Sequence, residues 1–250
     1  MSKTTRIAMW STWRSLSTAL MRAWENRQDT CVWDEPLFPH YLYCLHTGLA
    51  SGPSYSSDIS ILEQYETDWR KIVAAMTDAP LPAGKIVQFQ KHITLYAHPP
   101  MTLDWLPQLS NAFLIRHPRA TLASLHCRRP HFNLEDTGWL QLEHIFASVC
   151  EATATIPPLI TAEDLLRNPR HILSLLCDAL ELEFTETMLR WPAGARSSDA
   201  KWGYQWYQSV RNSTGFKPPT KKKIELLKHL ESIAEACEDI YERLSAHRLC

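Results

Sequence analysis

Met9-Trp10-Ser11-Thr12-Trp13-Arg14-Ser15-Leu16-Ser17-Thr18-Ala19-Leu20-Met21 carries the first signal of the chain's architecture. It continues the short apolar run Arg6-Ile7-Ala8-Met9-Trp10, passes through a polar turn, and then sets Leu16, Ala19, Leu20, Ala23 and Trp24 at helical spacing. The pattern predicts a strand, a loop and a helix. A helix N-terminus has unpaired backbone N–H groups and about half a unit of positive charge, so such a loop is a natural seat for a phosphate or sulfate group. Arg14 and the hydroxyls of Ser15, Ser17 and Thr18 add donors around it. A plainer reading keeps Arg14 as a solvated loop residue and Ser17 and Thr18 as ordinary helix starters. The phosphate loop of ATP and GTP enzymes, GxxxxGK followed by Ser or Thr, is missing, and no glycine precedes Gly48. A Walker-type kinase is therefore disfavoured.

Working outward, Cys31-Val32-Trp33 ends at Asp34-Glu35-Pro36, where the proline stops a ladder and biases Glu35 toward extended backbone. Residues 37–47 and 59–76 carry helical spacing, and Ser51 to Ser57, with Gly52 and Pro53, reads as a loop able to gate a site. Lys85-Ile86-Val87-Gln88-Phe89 predicts a third strand leading into Lys91-His92, and Ala112-Phe113-Leu114-Ile115 a fourth leading into Arg116-His117-Pro118-Arg119. Leu159-Ile160 predicts a fifth, with Thr161 as N-cap of the next helix. From Thr220, apolar positions between Ile224 and Leu244 trace one face of a long terminal helix. Alternating strands and helices without repeats or linkers predict one α/β domain over residues 1–250: a central, mostly parallel sheet of about five strands, flanked by helices. Ligands of such sheets sit beyond the carboxyl ends of the strands, where every polar cluster named here falls.

At 250 residues and 45% hydrophobic content the chain can bury a full core. Its 26 basic and 27 acidic side chains leave a net charge of -1, which argues against a nucleic-acid partner and makes any anion site local. No run approaches the roughly 20 apolar residues of a membrane helix, and Met1 to Ile7 lacks the apolar core of a secretory signal, so a cytoplasmic location is expected. The seven cysteines are odd in number, scattered and never in a CxxC pair; they read as reduced, mostly buried thiols. Eleven histidines include no HExxH and no cluster with zinc spacing, and no metal is expected.

The second informative segment is Phe113-Leu114-Ile115-Arg116-His117-Pro118-Arg119-Ala120-Thr121-Leu122-Ala123-Ser124. Arg116 ends a strand and Ser124 follows eight residues later. Basic residues at a helix N-terminus oppose its dipole, an odd choice unless an anion arrives. Without an anion, Arg116 and Arg119 are solvent charges and Ser124 is a helix-face residue.

On these two segments the chain resembles the sulfotransferases that depend on 3'-phosphoadenosine 5'-phosphosulfate (PAPS), and especially a bacterial branch of sulfotransferase-like proteins. The Met9 to Met21 run is similar to the family's 5'-phosphosulfate loop, usually Pro-Arg-Ser-Gly-Thr-Thr or Pro-Lys-Ser-Gly-Thr-Thr, with Trp13 at the proline and Leu16 at the glycine. Arg116 and Ser124 match the family's 3'-phosphate pair, in which a guanidinium grips the phosphate bidentately and a hydroxyl completes the contact. Looser likeness at Trp33 to Pro36, Lys91-His92 and Trp206 to Phe216 extends the resemblance over about residues 6 to 217. It implies a nucleotide-kinase-like sulfotransferase fold, PAPS as sulfuryl donor, and its desulfated form PAP as product. A small-molecule acceptor, taken as a hydroxyl, is implied too; no nucleic acid or membrane partner is expected, and self-association is left open.

The resemblance also implies roles. Sulfuryl transfer needs a base for the acceptor, support for the charged equatorial oxygens, and help for the leaving group. Glu35 is the first choice of base, because the tyrosylprotein sulfotransferase branch uses a glutamate at similar spacing after its first strand–helix unit. His92 is the rival, because cytosolic small-molecule sulfotransferases use a histidine from a comparable position. Arg14 and Lys91 would stabilise the transition state, with Asp34 orienting them. In the phosphosulfate loop Arg14, Ser15, Leu16, Ser17 and Thr18 would hold the nucleotide. An aromatic among Trp202, Trp206 and Tyr207 would stack on adenine, and Arg211, Lys217 or Lys221 would reach the 3'-phosphate. Two other readings stay open: a catalytically silent PAPS- or PAP-binding protein, and a P-loop-like nucleotide kinase. Segments 37–60 and 126–140 are expected to supply acceptor contacts.

Overall fold

The computed structural model of the chain describes residues 4–52, 59–218 and 224–250. Most of the expected gating loop, the helix start expected at Thr220, and Lys221 lie outside them.

Five strands form one sheet: β1 (Thr5–Ser11), β2 (Thr30–Asp34), β3 (Val87–Ile93), β4 (Ser110–Ile115) and β5 (Leu159–Thr161). Their order is β2-β3-β1-β4-β5, and every neighbouring pair is parallel. A parallel strand covered on both faces needs consecutive apolar residues. Ile7, Ala8, Met9 and Trp10 in β1 meet that need, and all four are fully buried. They alternate between two cores, as the two-residue period of a strand requires. Ile7 and Met9 face α1 (Ser17–Glu25), while Ala8 and Trp10 face α2 (Phe38–His46).

The remaining helices are α3 (Ser60–Gln64), α4 (Trp69–Asp78), α5 (Pro118–His126), α6 (Trp139–Thr153), α7 (Ala162–Arg167), α8 (Pro169–Ala179), α9 (Gln208–Arg211) and α10 (Glu231–Ser245). Leu173 and Leu176 of α8 join Trp24 of α1 in one core; Met76 of α4, Ile145 of α6 and Ile240 of α10 build the other. Among the described residues no helix is long and apolar enough to cross a membrane.

Several local expectations shift. The third strand runs on to Ile93, because Gln90, Lys91 and His92 are polar yet buried and so hid its second half from a hydrophobic pattern. The helix expected over 59–76 is two helices, the second capped by the Asp68 side chain, which accepts from the Arg70 N–H. The terminal helix begins at Glu231, and Ile224 and Leu227 lie outside it, exposed. Thr161 does cap α7, accepting from the Asp164 N–H at 3.1 Å. All seven cysteines are free thiols, but only Cys44, Cys177 and Cys237 are buried. Glu35 is not extended: its φ is 52°, because its N–H still bonds the Lys91 carbonyl at 2.9 Å while its own carbonyl turns to accept from Phe38 at 3.1 Å.

Candidate active site

A cavity of about 760 Å³ opens at the carboxyl edge of the sheet, within the usual size range of small-ligand sites. Arg14 and Leu16 of the β1–α1 loop and Ser17 and Thr18 at the start of α1 line it, together with Glu35, Lys91 and Arg116 from the ends of three further strands. Arg14 (φ 63°) and Leu16 (φ 69°) both sit in the left-handed region. For an L-residue that conformation costs about 1–2 kcal/mol, and such strain gathers at functional sites. The loop thus holds a glycine-like backbone without a glycine and delivers Ser17 and Thr18 to the first turn of α1.

Arg14 and Arg116, about 100 residues apart in sequence, share one rim. Arg116 Nη1 donates to the Arg14 carbonyl at 2.9 Å, and Arg14 Nε donates to Ser124 Oγ at 2.8 Å. Among the described residues neither guanidinium has a carboxylate within ion-pair distance. Burial, followed by the nearby Arg128 and Arg116 charges, lowers the Arg14 pKa; burial also lowers that of Arg116, with Glu163 opposing. An arginine does not lose its proton in a protein, so this is electrostatic cost that a bound anion would relieve.

The other wall is built on opposite terms. Asp34 and Lys91 are register partners on β2 and β3, which brings their side chains together. Lys91 Nζ donates to Asp34 Oδ1 and Glu35 Oε1, each at 2.7 Å, and to the Tyr207 hydroxyl at 2.8 Å. An ammonium has three donors, and all three are used. Tyr207 in turn donates to Asp34 Oδ2 at 2.7 Å, Trp202 Nε1 donates to Glu35 Oε2 at 2.7 Å, and the Ala200 N–H bonds Asp34 Oδ2 at 2.9 Å. Asp34, Glu35, Lys91 and Tyr207 are all buried. Burial alone would lower the Lys91 pKa, but the two carboxylates outweigh it and the net shift is upward. Burial, then Asp34 and Glu35, hold the Tyr207 phenol well above its ordinary value, so it stays protonated.

Four expected site residues do not line the cavity, one of them Ser124, whose hydroxyl instead accepts from Arg14 Nε. His92 does not line the cavity: it is 1% exposed, stacks on Trp10 at 4.4 Å and bonds Gln90 at 3.2 Å. Burial, then Lys91, pushes its pKa down to about 3, and as a core residue one strand position past Lys91 it faces away from the site. Arg211 is also absent from the lining; it pairs with Asp199 at 3.7 Å and covers the Tyr204 ring, while Lys217 does line the cavity. The Ser15 hydroxyl is buried 2.8 Å from that of Thr12, so its side chain serves the loop rather than the cavity.

One lining residue, Glu163, is not singled out by any sequence motif. Its Oε1 accepts from the His117 N–H at 3.1 Å, and its buried Oε2 has no hydrogen-bond partner among the described residues. Its position just past β5 at the carboxyl edge was the available signal.

A parallel sheet with a strained loop after its central strand and an arginine pair beside it defines an α/β protein whose candidate site lies at the sheet's carboxyl edge. Residues 5–238 match the family described as Sulfotransferase domain, and the chain belongs to that family. Two Arabidopsis thaliana proteins are similar: branched-chain-amino-acid aminotransferase-like protein 2, 32% identical over 242 residues, and protein 1, 35% identical over 216 residues. These alignments cover 96% and 86% of this chain but 41% and 37% of the relatives, so the chain spans about two fifths of their length. Among solved structures, a sulfotransferase from Alicyclobacillus acidocaldarius aligns with a TM-score of 0.56 at 13% identity, covering 98% of this chain and 97% of its own. The sulfotransferase domain from the curacin biosynthetic pathway aligns at 0.51 and 15% identity, covering 98% and 99%. These two likenesses are ones of fold.

Proposed function

We propose that this domain moves a sulfuryl group from PAPS to the hydroxyl of a small molecule. The observation that carries the reading is the pair of guanidinium groups at one rim with no carboxylate of the described residues at ion-pair distance, beside a buried carboxylate–ammonium cluster. In this reading the phosphosulfate lies at the start of α1, on Arg14, Ser17 and Thr18, and the 3'-phosphate lies on Arg116 and Ser124. Glu35 takes the acceptor proton as the oxygen attacks sulfur in line, and the bond from sulfur to the nucleotide's 5'-phosphate breaks, releasing PAP. Lys91 and Arg14 supply positive charge where negative charge builds up. His92 is not proposed as the base.

Incubation with labelled PAPS and a cell extract should yield a product heavier by one SO₃ unit. Glu35→Gln should slow its formation by about 10²–10⁴ while leaving PAP binding in place. PAP binding without transfer to any acceptor would instead mark a silent nucleotide-binding protein and overturn the assignment.

A further inference from the structure

We infer that Trp202 is a positioning residue for the base: its indole N–H fixes the direction of the one Glu35 oxygen left open to the acceptor. The inference rests on the sulfuryl-transfer reading above. A carboxylate offers about four lone-pair sites, shared equally between its oxygens. Lys91 Nζ holds Glu35 Oε1 at 2.7 Å, and the Tyr207 hydroxyl crowds the same oxygen at 3.3 Å. Oε2 has one hydrogen-bond partner among the described residues, Trp202 Nε1 at 2.7 Å. Glu35 lines the cavity, so the remaining lone pair of Oε2 is where an acceptor hydroxyl can present its proton.

A carboxylate tied at one oxygen still swings about that bond, and a donor on the other oxygen stops it. Glu35 stands in need of the second tie, because its backbone has left the extended form of β2 with a φ of 52°. A hydrogen bond to an anion is short and strong enough to supply it. The indole is itself held in place. Phe38 stacks on it at 4.7 Å, and Tyr65 meets it edge-on at 5.3 Å. The segment that carries it is anchored on either side of Trp202: the Ala200 N–H and the Tyr207 hydroxyl both donate to Asp34 Oδ2, at 2.9 and 2.7 Å. Gly203 lies between these anchors, where any side chain would collide with the Tyr207 ring. An indole packed in this way, with its N–H spent on Glu35, is placed to aim the base rather than to stack on adenine.

The step that Trp202 serves balances as follows. The acceptor O–H gives its proton to Glu35 Oε2, and an oxygen electron pair forms the new bond to sulfur. The bond between sulfur and the PAPS 5'-phosphate oxygen breaks with its electron pair on that oxygen. Trp202 exchanges no proton; it keeps Oε2 in line with the hydroxyl.

The test measures transfer from radiolabelled PAPS to the acceptors of a cell extract, with the rate followed against extract concentration, alongside calorimetric titration of PAP. Trp202→Phe keeps a ring for Phe38 and Tyr65 to pack on and removes the donor. Its saturated rate should fall about 10-fold, while the extract concentration at half-maximal rate and the PAP affinity stay within about twofold of wild type. Trp202→His should bring the rate back to within about threefold, because imidazole Nε2 occupies the ring position of indole Nε1 and again offers an N–H. Should Trp202→Phe fail to fold, Trp202→benzothienylalanine, which keeps the bicyclic shape and puts sulfur in place of the N–H, gives the same readout. An unchanged saturated rate in Trp202→Phe, a loss confined to the half-maximal concentration, or a loss that Trp202→His does not repair overturns this inference alone. Failure of the wild type to transfer label to any acceptor overturns the transfer reading and this inference with it.

Discussion

At the Arg14–Arg116 rim two guanidinium groups stand on a strained loop with no carboxylate of the described residues at ion-pair distance, whereas at Lys91, which lines the same cavity, every donor of the ammonium is matched. The rim is electrostatically incomplete and suits a ligand that brings charge. The Lys91 cluster is complete without ligand and suits a part of the machine that must hold its shape. Deleting a cation should therefore cost far more stability on the Lys91 side than at the rim.

The largest effect is expected at Lys91. Lys91→Met leaves Asp34 and Glu35 as two buried carboxylates without their cation, and chemical denaturation should show a loss of about 3–5 kcal/mol. Arg116→Met, by contrast, should leave the ligand-free protein within about 1 kcal/mol of wild type, since it removes a charge already disfavoured by burial. Comparable losses for the two variants would break the comparison.

His92 gives a smaller, pH-dependent effect that separates core from site. Its folded pKa of about 3 lies below the ordinary value of about 6.5, so below pH ~6.5 the unfolded chain binds a proton that the folded chain refuses. Stability present above pH ~6.5 is lost as pH falls toward 3. Urea unfolding should show about 2 kcal/mol less stability from this residue at pH 5 than at pH 7, and His92→Gln should remove that difference. The smallest effect is at Leu16, where Leu16→Gly should stay within about 1 kcal/mol of wild type. Leu16→Ile should be less stable than either, because a β-branched side chain tolerates positive φ poorly.

The same contrast explains what the sequence could tell. The sheet was legible because β1, β4 and β5 are short apolar runs, each followed by polar residues at one edge, and the rim was legible because Arg116 and Ser124 stand at a fixed local spacing. The second half of β3 was hidden by buried polar residues whose partners lie on other segments. Asp34 meets Tyr207 across 173 positions, and no periodicity announces such a contact. His92 misled because adjacent strand residues point to opposite faces, so Lys91 and His92 could not both reach the cavity. Glu35 lines the cavity, but its left-handed backbone was not legible, since the following proline pointed to an extended one.

The most direct measurement of the central claim is calorimetric titration of the wild-type protein with PAP and with AMP, which lacks the 3'-phosphate. If the two arginines cradle opposite ends of one nucleotide, PAP should bind at least about 10-fold more tightly than AMP, and Arg116→Met should abolish that margin. Equal affinities in the wild type, or a margin that survives Arg116→Met, would contradict it.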